Sequence, residues 1–369
     1  MKKEARKKRR GGLILLFLFL LMAAAAILWK SFPSTPPVRE IGIGIDSNVV
    51  AELEPVQIGG ITQWLLIRGQ NPGDPVLLFL SGGPGLSEMG LFRHFNQALE
   101  SHFVVVNWDQ RGAGKSYSKE TAASPWELET FITDTRDVVE YLKHRFEKNK
   151  IYLAGHSWGS LLGTLVVDRF PESFHAYVGI GQWSDPAESE RISYEFTLER
   201  ARILSNFKAE RELEAIGPPA AGRYHGGIEA MAVQRKWLMR FGGNLLGKKT
   251  LNPLRWHMLL AREYSLKDLF RLQRGFNLPE RSRMIEDVLM GINLVERVPR
   301  LKVPVYFFLG RLDYLTSSEA AEAYFKVLRA PRKDLVWFEK SAHYPCFEEA
   351  ELFNQMLVEK VRAETYRGE

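Results

Sequence analysis

The sequence predicts an α/β fold in which a mostly parallel central sheet carries helices on both faces. Short apolar runs such as "PVLLFL" at 75–80 and "FVVVNW" at 103–108 alternate with longer stretches of helical periodicity. Strands that are apolar along their whole length are typical of a parallel sheet buried on both faces. The interval 183–300 departs from this alternation, because it contains several helical patterns and no convincing strand pattern. We therefore expect a core in two parts, at 41–182 and 301–369, with a helical cap inserted between them.

The predicted elements follow one another in the order that an alternating sheet requires. Two β-like runs at 49–56 and 61–67 precede the first fully apolar strand. After the strands at 75–80 and 103–108, the predicted elements are a helix near 125–146, a strand at 151–154, a helix near 159–170 and a strand at 176–181. Beyond the cap they are a strand at 303–309, a helix near 317–328, a strand at 335–339 and a closing helix near 348–363. The carboxyl ends of such strands form the edge at which parallel sheets bind ligands.

A basic tail at 1–12 precedes an uncharged apolar segment at 13–29. The first ten residues, "MKKEARKKRR", hold seven Lys or Arg and one Glu, which accounts for the formal net charge of +6. The remainder of the chain is close to neutral, so no nucleic-acid partner is expected. The apolar segment has 17 residues, the lower limit for a transmembrane helix. Trp29 and Lys30 lie where an interfacial anchor would be expected.

The same segment also fits a cleaved signal peptide, with an apolar stretch at 13–22 and small residues at 23–26 as the cleavage zone. In both interpretations the basic flank stays in the cytoplasm. We therefore expect a single-pass protein of the cell membrane with an extracytoplasmic domain, or a secreted protein after cleavage. Residues 30–40, which include "SFPSTPPVR", are expected to form a linker. Cys346 is the only cysteine of the chain, which excludes an intrachain disulfide.

The stretch "IYLAGHSWGS" at 151–160 places a serine between two glycines, directly after a strand pattern and before a helix pattern. Gly155-His156-Ser157-Trp158-Gly159 fits the motif Gly-x-Ser-x-Gly, in which a sharp strand-to-helix turn exposes the serine hydroxyl. Side chains at the two glycine positions would clash in so tight a turn. We therefore predict that Ser157 is a nucleophile.

A nucleophilic serine needs a base, and the base needs a carboxylate that orients it. With this kind of turn, the chain order is Ser, then Asp or Glu, then His. Asp313 and His343 each follow a predicted strand, so both belong to the ligand-facing edge of the sheet. His156, at the variable position of the turn, is an alternative candidate for the base. Asp109 is an alternative candidate for the acid, but it precedes the serine in the chain. We therefore predict a triad of Ser157, His343 and Asp313.

A Gly-Gly pair directly after a strand, in "FLSGGPG" at 79–85, indicates an oxyanion site. Such a site needs two rigidly held N–H donors, and glycines expose their backbone N–H groups. We assign one donor to the N–H of Trp158, the residue after the nucleophile. The other is assigned to Gly83 or to its neighbour Gly82.

Five linked motifs resemble those of the α/β-hydrolase superfamily, and most closely those of its prolyl iminopeptidase branch. They are "SGGPG" at 81–85, "WDQRGAGKS" at 108–116, "GHSWGS" at 155–160, "GRLD" at 310–313 and "SAH" at 341–343. The similarity spans about residues 45–182 and 301–365. It implies a serine hydrolase that works through an acyl-enzyme. It also implies a structural role beside the oxyanion site for the loop Asp109-Gln110-Arg111-Gly112.

Two departures from that family concern the oxyanion loop and the substrate. The family usually begins the oxyanion motif with His, where this sequence has Ser81, which can still hydrogen-bond locally. The iminopeptidases hold the α-ammonium of the substrate with carboxylates of the cap, and no matching motif identifies such residues here. The available carboxylates are Glu188, Glu190, Glu195 and Glu263. The alternatives are therefore an aminopeptidase-like hydrolase, a carboxylesterase or lactonase for small acyl substrates, and a non-catalytic binding module.

The sequence predicts neither a metal site nor a cofactor. The eight histidines show no His-x-x-x-His or His-Glu-x-x-His spacing, and one cysteine cannot build a Cys-rich site. The expected partners are a small-molecule or short-peptide substrate and, through the N-terminal helix, the membrane, while the oligomeric state is left open. In the cap, four aromatic side chains are expected to roof the substrate pocket. They are Trp183, Trp237, Phe241 and Trp256.

Overall fold

A computed structural model of the chain describes residue 17 and residues 30–38, 49–123 and 126–368. The sheet strands are β1 (Val50–Ile58), β2 (Ile61–Gly69), β3 (Val76–Leu80), β4 (Val104–Asp109), β5 (Ile151–His156), β6 (Phe174–Ile180), β7 (Val305–Gly310) and β8 (Lys333–Phe338). They form one sheet in the order β1-β2-β4-β3-β5-β6-β7-β8. The pairs β1–β2 and β2–β4 are antiparallel, and the pairs from β4 to β8 are parallel. The predicted α/β class with a mostly parallel sheet is therefore confirmed.

Helices surround this sheet in three groups. Before β6 they are α1 (Met89–Phe95), α2 (Lys119–Ala123), α3 (Leu128–Arg145) and α4 (Trp158–Arg169). Between β6 and β7 they are α5 (Pro186–Ile203), α6 (Phe207–Ile216), α7 (Gly227–Arg240), α8 (Asn252–Leu260), α9 (Leu266–Phe276), α10 (Pro279–Arg283) and α11 (Leu294–Arg297). After β7 they are α12 (Ser318–Val327), α13 (Pro345–Glu348), α14 (Ala350–Gln355) and α15 (Ala363–Thr365). The π-helical segment Met356–Arg362 joins the last two.

The apolar strand β3 shows why the sheet is covered on both sides. Successive side chains of a strand point to opposite faces, and all five residues of β3 are buried. Leu78 belongs to one buried cluster together with Trp158 of α4. Leu77 and Phe79 belong to the other, in which the ring of Phe79 stacks on that of Phe92 of α1 with centroids 3.9 Å apart. A strand that is apolar at every position therefore packs against helices on both faces.

Helices α5 to α11 occupy the interval in which the sequence predicts a helical cap. They enclose an apolar cluster of their own, in which Tyr194, Leu213 and Trp237 are buried. The backbone of the cap also touches the core, because the N–H of His343 donates a hydrogen bond to the carbonyl of Asn244 at 3.1 Å. The cap therefore packs within itself and meets the core at the ligand-facing edge of the sheet.

The predicted membrane segment at 13–29 lies outside the described residues except for Phe17, and the basic tail at 1–12 lies outside them entirely. Among the helices that the structure does describe, none combines the length and the apolar character needed to cross a bilayer. The membrane segment stays a prediction.

The described part of the predicted linker, residues 30–38, is bound to the domain surface. The buried Arg68 of β2 forms an ion pair with Glu100 at 2.7 Å and donates further hydrogen bonds to the linker. These go to the hydroxyl of Thr35 at 2.5 Å and to the carbonyl of Pro36. Because a buried guanidinium needs acceptors for its N–H groups, the linker is held against the domain at Arg68, whereas the sequence predicts a plain spacer.

Candidate active site

Ser157 lies at the turn between β5 and α4 in a backbone conformation that residues with side chains rarely adopt, with φ 54° and ψ −117°. The turn is tight on both sides. A Cβ on Gly155 would lie 2.1 Å from the carbonyl oxygen of Gly159, and a Cβ on Gly159 would lie 2.2 Å from that of Leu80. The N–H of Ser157 donates to the carbonyl of Ile180 at 2.9 Å, which ties the turn to β6. Such strained residues persist only where their surroundings hold them, and they cluster at functional sites.

The loops after β7 and β8 bring Asp313 and His343 into contact. His343 Nδ1 lies 2.8 Å from Asp313 Oδ2, and both residues are buried. An ionised carboxylate only accepts hydrogen bonds, so Nδ1 carries the proton. Asp313 Oδ1 accepts from the N–H groups of Leu315 at 2.8 Å and Thr316 at 3.1 Å. These donors hold the carboxylate in place, and the carboxylate orients the imidazole.

Two further residues, Thr316 and Gly181, lie at the contact between His343 and Asp313, and the sequence motifs do not identify them. Thr316 Oγ1 lies 3.0 Å from Asp313 Oδ2 and 3.0 Å from the carbonyl oxygen of Gly181. Gly181 follows β6 with φ 49°, and a Cβ there would lie 3.1 Å from His343 Nδ1. A glycine directly after an apolar strand is the one sequence signal that points to this position. Together the hydroxyl and the glycine allow the imidazole and the carboxylate to sit against β6.

His156, the variable residue of the turn, connects three parts of the site. Its Nδ1 lies 2.9 Å from Glu88 Oε1, and its Nε2 lies 2.8 Å from the carbonyl oxygen of His343. Glu88 Oε2 also accepts the N–H of Gly82 at 2.8 Å. Burial alone would lower the pKa of His156, but the charge and hydrogen bond of Glu88, together with the hydrogen bond to the His343 carbonyl, outweigh it and raise that pKa. His156 thus ties the turn to the loops of Glu88 and His343, and both its nitrogens are occupied.

The loop at 81–85 after β3, here called the glycine loop, contributes to the wall of the cavity that Ser157 lines. The N–H of Gly82 is bound to Glu88, whereas Gly83 lines the same cavity as Ser157. Trp158 is the first residue of α4, and the first N–H groups of a helix have no acceptor within it. Of the three predicted oxyanion donors, Gly82 therefore has its N–H group occupied by Glu88, and Gly83 and Trp158 stay predictions.

The loop at 109–112 is hydrogen-bonded to the glycine loop and to Trp158. Trp158 Nε1 donates to Gln110 Oε1 at 2.9 Å, and Gln110 Nε2 donates to the carbonyl of Ser81 at 3.4 Å. Ser81 Oγ accepts the N–H of Glu88 at 3.2 Å. The serine at this position therefore keeps the loop hydrogen-bonded without the histidine that is usual in the family.

Asp109, the alternative candidate for the acid, forms its hydrogen bonds with residues other than the predicted base, His343. Its carboxylate accepts the N–H of Lys115 at 2.7 Å, the hydroxyl of Tyr264 at 3.0 Å and the hydroxyl of Ser87. Burial raises the pKa of Asp109 to about 6, although these hydrogen bonds favour the ionised form. The carboxylate that contacts the predicted base is that of Asp313.

Ser157 lines a cavity of about 380 Å³ between the core and the cap. Of the four aromatic residues expected in its roof, only Trp183 lines it. Trp237 and Phe241 pack in the apolar cluster of the cap, and Trp256 is 63% exposed. The prediction is wrong for these three, because helical periodicity identifies an apolar face but not the surface that this face meets. Within the described ranges, no three His, Cys, Asp or Glu side chains are grouped so that they could hold a metal ion.

Of the four carboxylates considered in the cap, only Glu190 lines this cavity. Glu188 and Glu195 both pair with the exposed Arg191. Glu263 forms a buried ion pair with an arginine of α1. From the sequence, these four glutamates are equal candidates for binding a substrate, whereas in the fold only Glu190 is placed at the cavity.

Glu190 is buried and only partly satisfied. Its Oε1 accepts a hydrogen bond from Arg235, which also lines the cavity. Its Oε2 has no hydrogen-bond partner among the described residues. An unsatisfied buried acceptor costs about 1–3 kcal/mol, and more when it is charged. Glu190 is therefore a buried carboxylate that pairs with Arg235 through one oxygen and lies close enough to the buried Tyr224 hydroxyl to help raise the pKa of that tyrosine, which burial also raises.

Comparisons with known proteins agree with the fold. Residues 75–215 match the family model described as alpha/beta hydrolase fold. The chain is 36% identical over 322 residues to the Bacillus subtilis (strain 168) protein named "Probable aminopeptidase YbaC", with 86% of this chain and 98% of that protein covered. It is 23% identical over 287 residues to a proline iminopeptidase of Heyndrickxia coagulans, with 76% and 88% covered. Its structure is similar to that of the proline iminopeptidase of Mycobacterium smegmatis, with a TM-score of 0.62, 16% identity, and 85% and 99% covered.

The contact between Glu88 and His156 predicts a pH-dependent stability. Because the pKa of His156 is raised above its ordinary value of 6.5, the stabilisation is fully present below pH 6.5 and is lost as the pH rises through the folded-state pKa. We expect Glu88→Gln to lower the free energy of unfolding by about 1–3 kcal/mol at pH 6. The difference from the wild type should shrink towards pH 9, as measured by urea unfolding across this range.

The matched control is Glu127→Gln, which changes an exposed carboxylate at the start of α3. Its difference from the wild type should be small and should not vary over the same pH range. A difference between Glu88→Gln and the wild type that stayed constant or grew with pH would contradict the assignment of the raised pKa to this pair.

Proposed function

The chain belongs to the α/β-hydrolase fold family and is related to its proline iminopeptidase branch, and on this premise we propose that it is a serine hydrolase that works through an acyl-enzyme. The observation that supports the proposal most strongly is the buried hydrogen bond of 2.8 Å between His343 and Asp313. Ser157 in the wall of the cavity supports it as well. The chain order Ser, Asp, His is the order of this fold.

In the proposed mechanism, Ser157 Oγ attacks the carbonyl carbon of the substrate while His343 Nε2 takes its proton. Asp313 holds Nδ1–H of His343 and stabilises the imidazolium that forms. The N–H groups of Gly83 and Trp158 stabilise the negative charge on the carbonyl oxygen, where one donor is worth about 3–4 kcal/mol. His343 then gives the proton to the leaving group, and the acyl group remains on the serine. A water molecule that is deprotonated by His343 releases this acyl group.

Replacing Ser157 by Ala removes the proposed nucleophile. We expect kcat/KM for prolyl and alanyl arylamides to fall by a factor on the order of 10⁵ to 10⁶, and Asp313→Asn to lower it by about 10⁴. Initial rates of arylamine release measure both effects. Ser101→Ala, which changes a serine outside the cavity, is the control and should retain the wild-type rate. Turnover by Ser157→Ala at the wild-type rate would contradict the proposal.

We propose further that the substrates carry a free α-amino group next to the scissile carbonyl. The relative that is 36% identical is named a probable aminopeptidase. In this chain, Glu190 is a buried carboxylate that lines the cavity, and its Oε2 makes no hydrogen bond with the described residues. An α-ammonium group would supply further hydrogen-bond donors to this carboxylate, which already pairs with Arg235 through its other oxygen. The other cavity-lining side chains are mostly apolar, which suits an aminoacyl group with an uncharged side chain.

The role of Glu190 is tested by comparing arylamides with a free and an N-acetylated α-amino group. We expect the wild type to prefer the free amine. In Glu190→Gln, the ratio of the two kcat/KM values should fall by about 10-fold to 100-fold, mainly through KM, because a hydrogen bond to a charged group is lost. Glu188→Gln on the same helix changes an exposed carboxylate paired with Arg191, and it should retain the ratio. Hydrolysis of short-chain nitrophenyl esters without any hydrolysis of aminoacyl arylamides would instead favour a carboxylesterase or lactonase.

We also propose that the domain is attached to a membrane through residues 13–29, with the domain on the extracytoplasmic side. The residue that follows this apolar run, Lys30, donates hydrogen bonds to the carbonyls of Ala261 at 2.5 Å and Tyr264 at 3.2 Å. Ala261 directly follows α8, which exposes three large apolar side chains, Trp256, Leu259 and Leu260. An apolar surface beside the end of an apolar segment supports a membrane-facing orientation of α8.

The membrane proposal is tested by expressing the full chain and a chain that starts at Lys30. We expect the full chain to stay with the membrane fraction after a carbonate wash, and the shortened chain to be released, because it lacks the apolar segment. N-terminal sequencing of the mature full chain provides the control for cleavage. A mature chain that starts near Ala26 and is found in the medium would contradict attachment and favour the signal peptide.

A further inference from the structure

Arg281 of α10 lines the cavity next to the glycine loop and is held there by two contacts. Its Nε donates a hydrogen bond to the carbonyl of Pro84 at 2.8 Å. Its guanidinium lies over the ring of Phe276, 4.5 Å from the ring centroid. The side chain therefore has a defined position beside Gly83, the residue before Pro84 and the proposed oxyanion donor.

The charge of Arg281 has no carboxylate partner among the described residues. The pKa of Arg281 is lowered to about 10 by burial, so the guanidinium remains protonated at neutral pH. Three buried cations of the core are paired instead. They are Arg68 with Glu100, Arg111 with Asp134 and Lys115 with Asp268. A charge that is removed from water without a partner costs free energy, and a ligand that carries the opposite charge would recover it.

The donors of Arg281 suit an anion of planar shape. A guanidinium has five N–H donors, and the Pro84 carbonyl takes the one on Nε. The remaining donors on Nη1 and Nη2 match the two oxygens of a carboxylate. The position beside Pro84 matters as well. In a dipeptide, the carboxylate carbon is separated from the scissile carbonyl carbon only by the amide nitrogen and one α-carbon.

We propose that Arg281 binds the free carboxylate of the leaving group, so that the preferred substrates are unblocked dipeptides. The inference rests on the proposed function, because the scissile carbonyl is placed between Ser157 and Gly83. Glu190 on α5 would then receive the ammonium end and Arg281 on α10 the carboxylate end of one zwitterionic substrate. The cavity of about 380 Å³ has a size suited to such a small molecule.

The test compares prolyl-alanine with prolyl-alanine amide, which differ only in the charge at the carboxyl end. We expect the wild type to hydrolyse the free acid with a kcat/KM about 10-fold to 100-fold higher than the amide, the range for a hydrogen bond to a charged group. In Arg281→Met this ratio should fall to within about twofold of one. Arg281→Lys should retain part of it. Arg283→Met, which changes an exposed arginine of the same helix, is the control and should keep the wild-type ratio.

Two further measurements separate binding from chemistry and from folding. In the Ser157→Ala background, calorimetry should show the free acid binding about 10-fold or more tightly than the amide, and Arg281→Met should abolish this difference. The melting temperature of Arg281→Met should stay close to that of the wild type, because the removal of an unpaired, half-buried charge offsets the loss of the hydrogen bond to Pro84.

The outcomes distinguish this inference from the proposed function. Equal hydrolysis of the acid and the amide by the wild type would overturn the role of Arg281 but not the proposed serine hydrolase activity. A preference for the free acid that persists in Arg281→Met would do the same. Equal binding of the acid and the amide in the Ser157→Ala background, together with a large fall in the melting temperature of Arg281→Met, would point to a structural role and also overturn it. Turnover of neither peptide nor of any arylamide by the wild type would overturn the proposed function itself.

Discussion

The hydrogen bond between His343 and Asp313 is the contact on which the rest of the site depends, because it joins two loops that leave different strands. For these loops to meet, the end of β7 must carry no side chain, since a Cβ on Gly310 would lie 1.8 Å from the carbonyl oxygen of Ala342. The cap is attached at the same place, through the hydrogen bond from His343 N–H to Asn244. With Nδ1 held by the carboxylate, Nε2 is the ring nitrogen left to serve as the base. Breaking this hydrogen bond would therefore displace the predicted base and acid and also weaken the attachment of the cap.

The treatment of buried charge differs between the core and the cavity. In the core, buried charges such as Arg111 and Asp134 are paired at 3.0 Å, and His156 is held between Glu88 and a carbonyl. In the cavity, Glu190 pairs with Arg235 through one oxygen and makes no hydrogen bond with the described residues through the other, and Arg281 has no carboxylate partner among the described residues. Polar groups left unsatisfied in a cavity lower the stability of the empty protein, and a substrate with complementary charges recovers that free energy on binding. The two charges lie on different cap helices, and we therefore propose that the cap recognises the substrate while the core carries out the reaction.

The sheet could be predicted from the sequence because its signals are local. The strand expected at 151–154 spans Ile151–His156, and runs of apolar residues between turn residues locate the other strands equally well. The triad candidates could also be found, since the motif around Ser157 and the order of the chain need no three-dimensional knowledge. The partners Glu88 and Thr316 could not, because their roles depend on which loops meet in space. The cap was predicted least well, since Trp256, expected in the roof of the cavity, is exposed. The periodicity of the cap helices shows which faces are apolar, but the surface that each face contacts depends on the packing of the folded chain.

The central claim, that Ser157 is the nucleophile of an acyl-transfer mechanism, is tested most directly by labelling the full chain with a fluorophosphonate probe and mapping the adduct by peptide mass spectrometry. A fluorophosphonate reacts with a serine only when that serine is activated by a base and its oxyanion is stabilised. We expect one adduct per chain, on the peptide that contains Ser157, with labelling abolished in Ser157→Ala and strongly slowed in Asp313→Asn. An unlabelled wild type, or an adduct that persists in Ser157→Ala, would contradict the account.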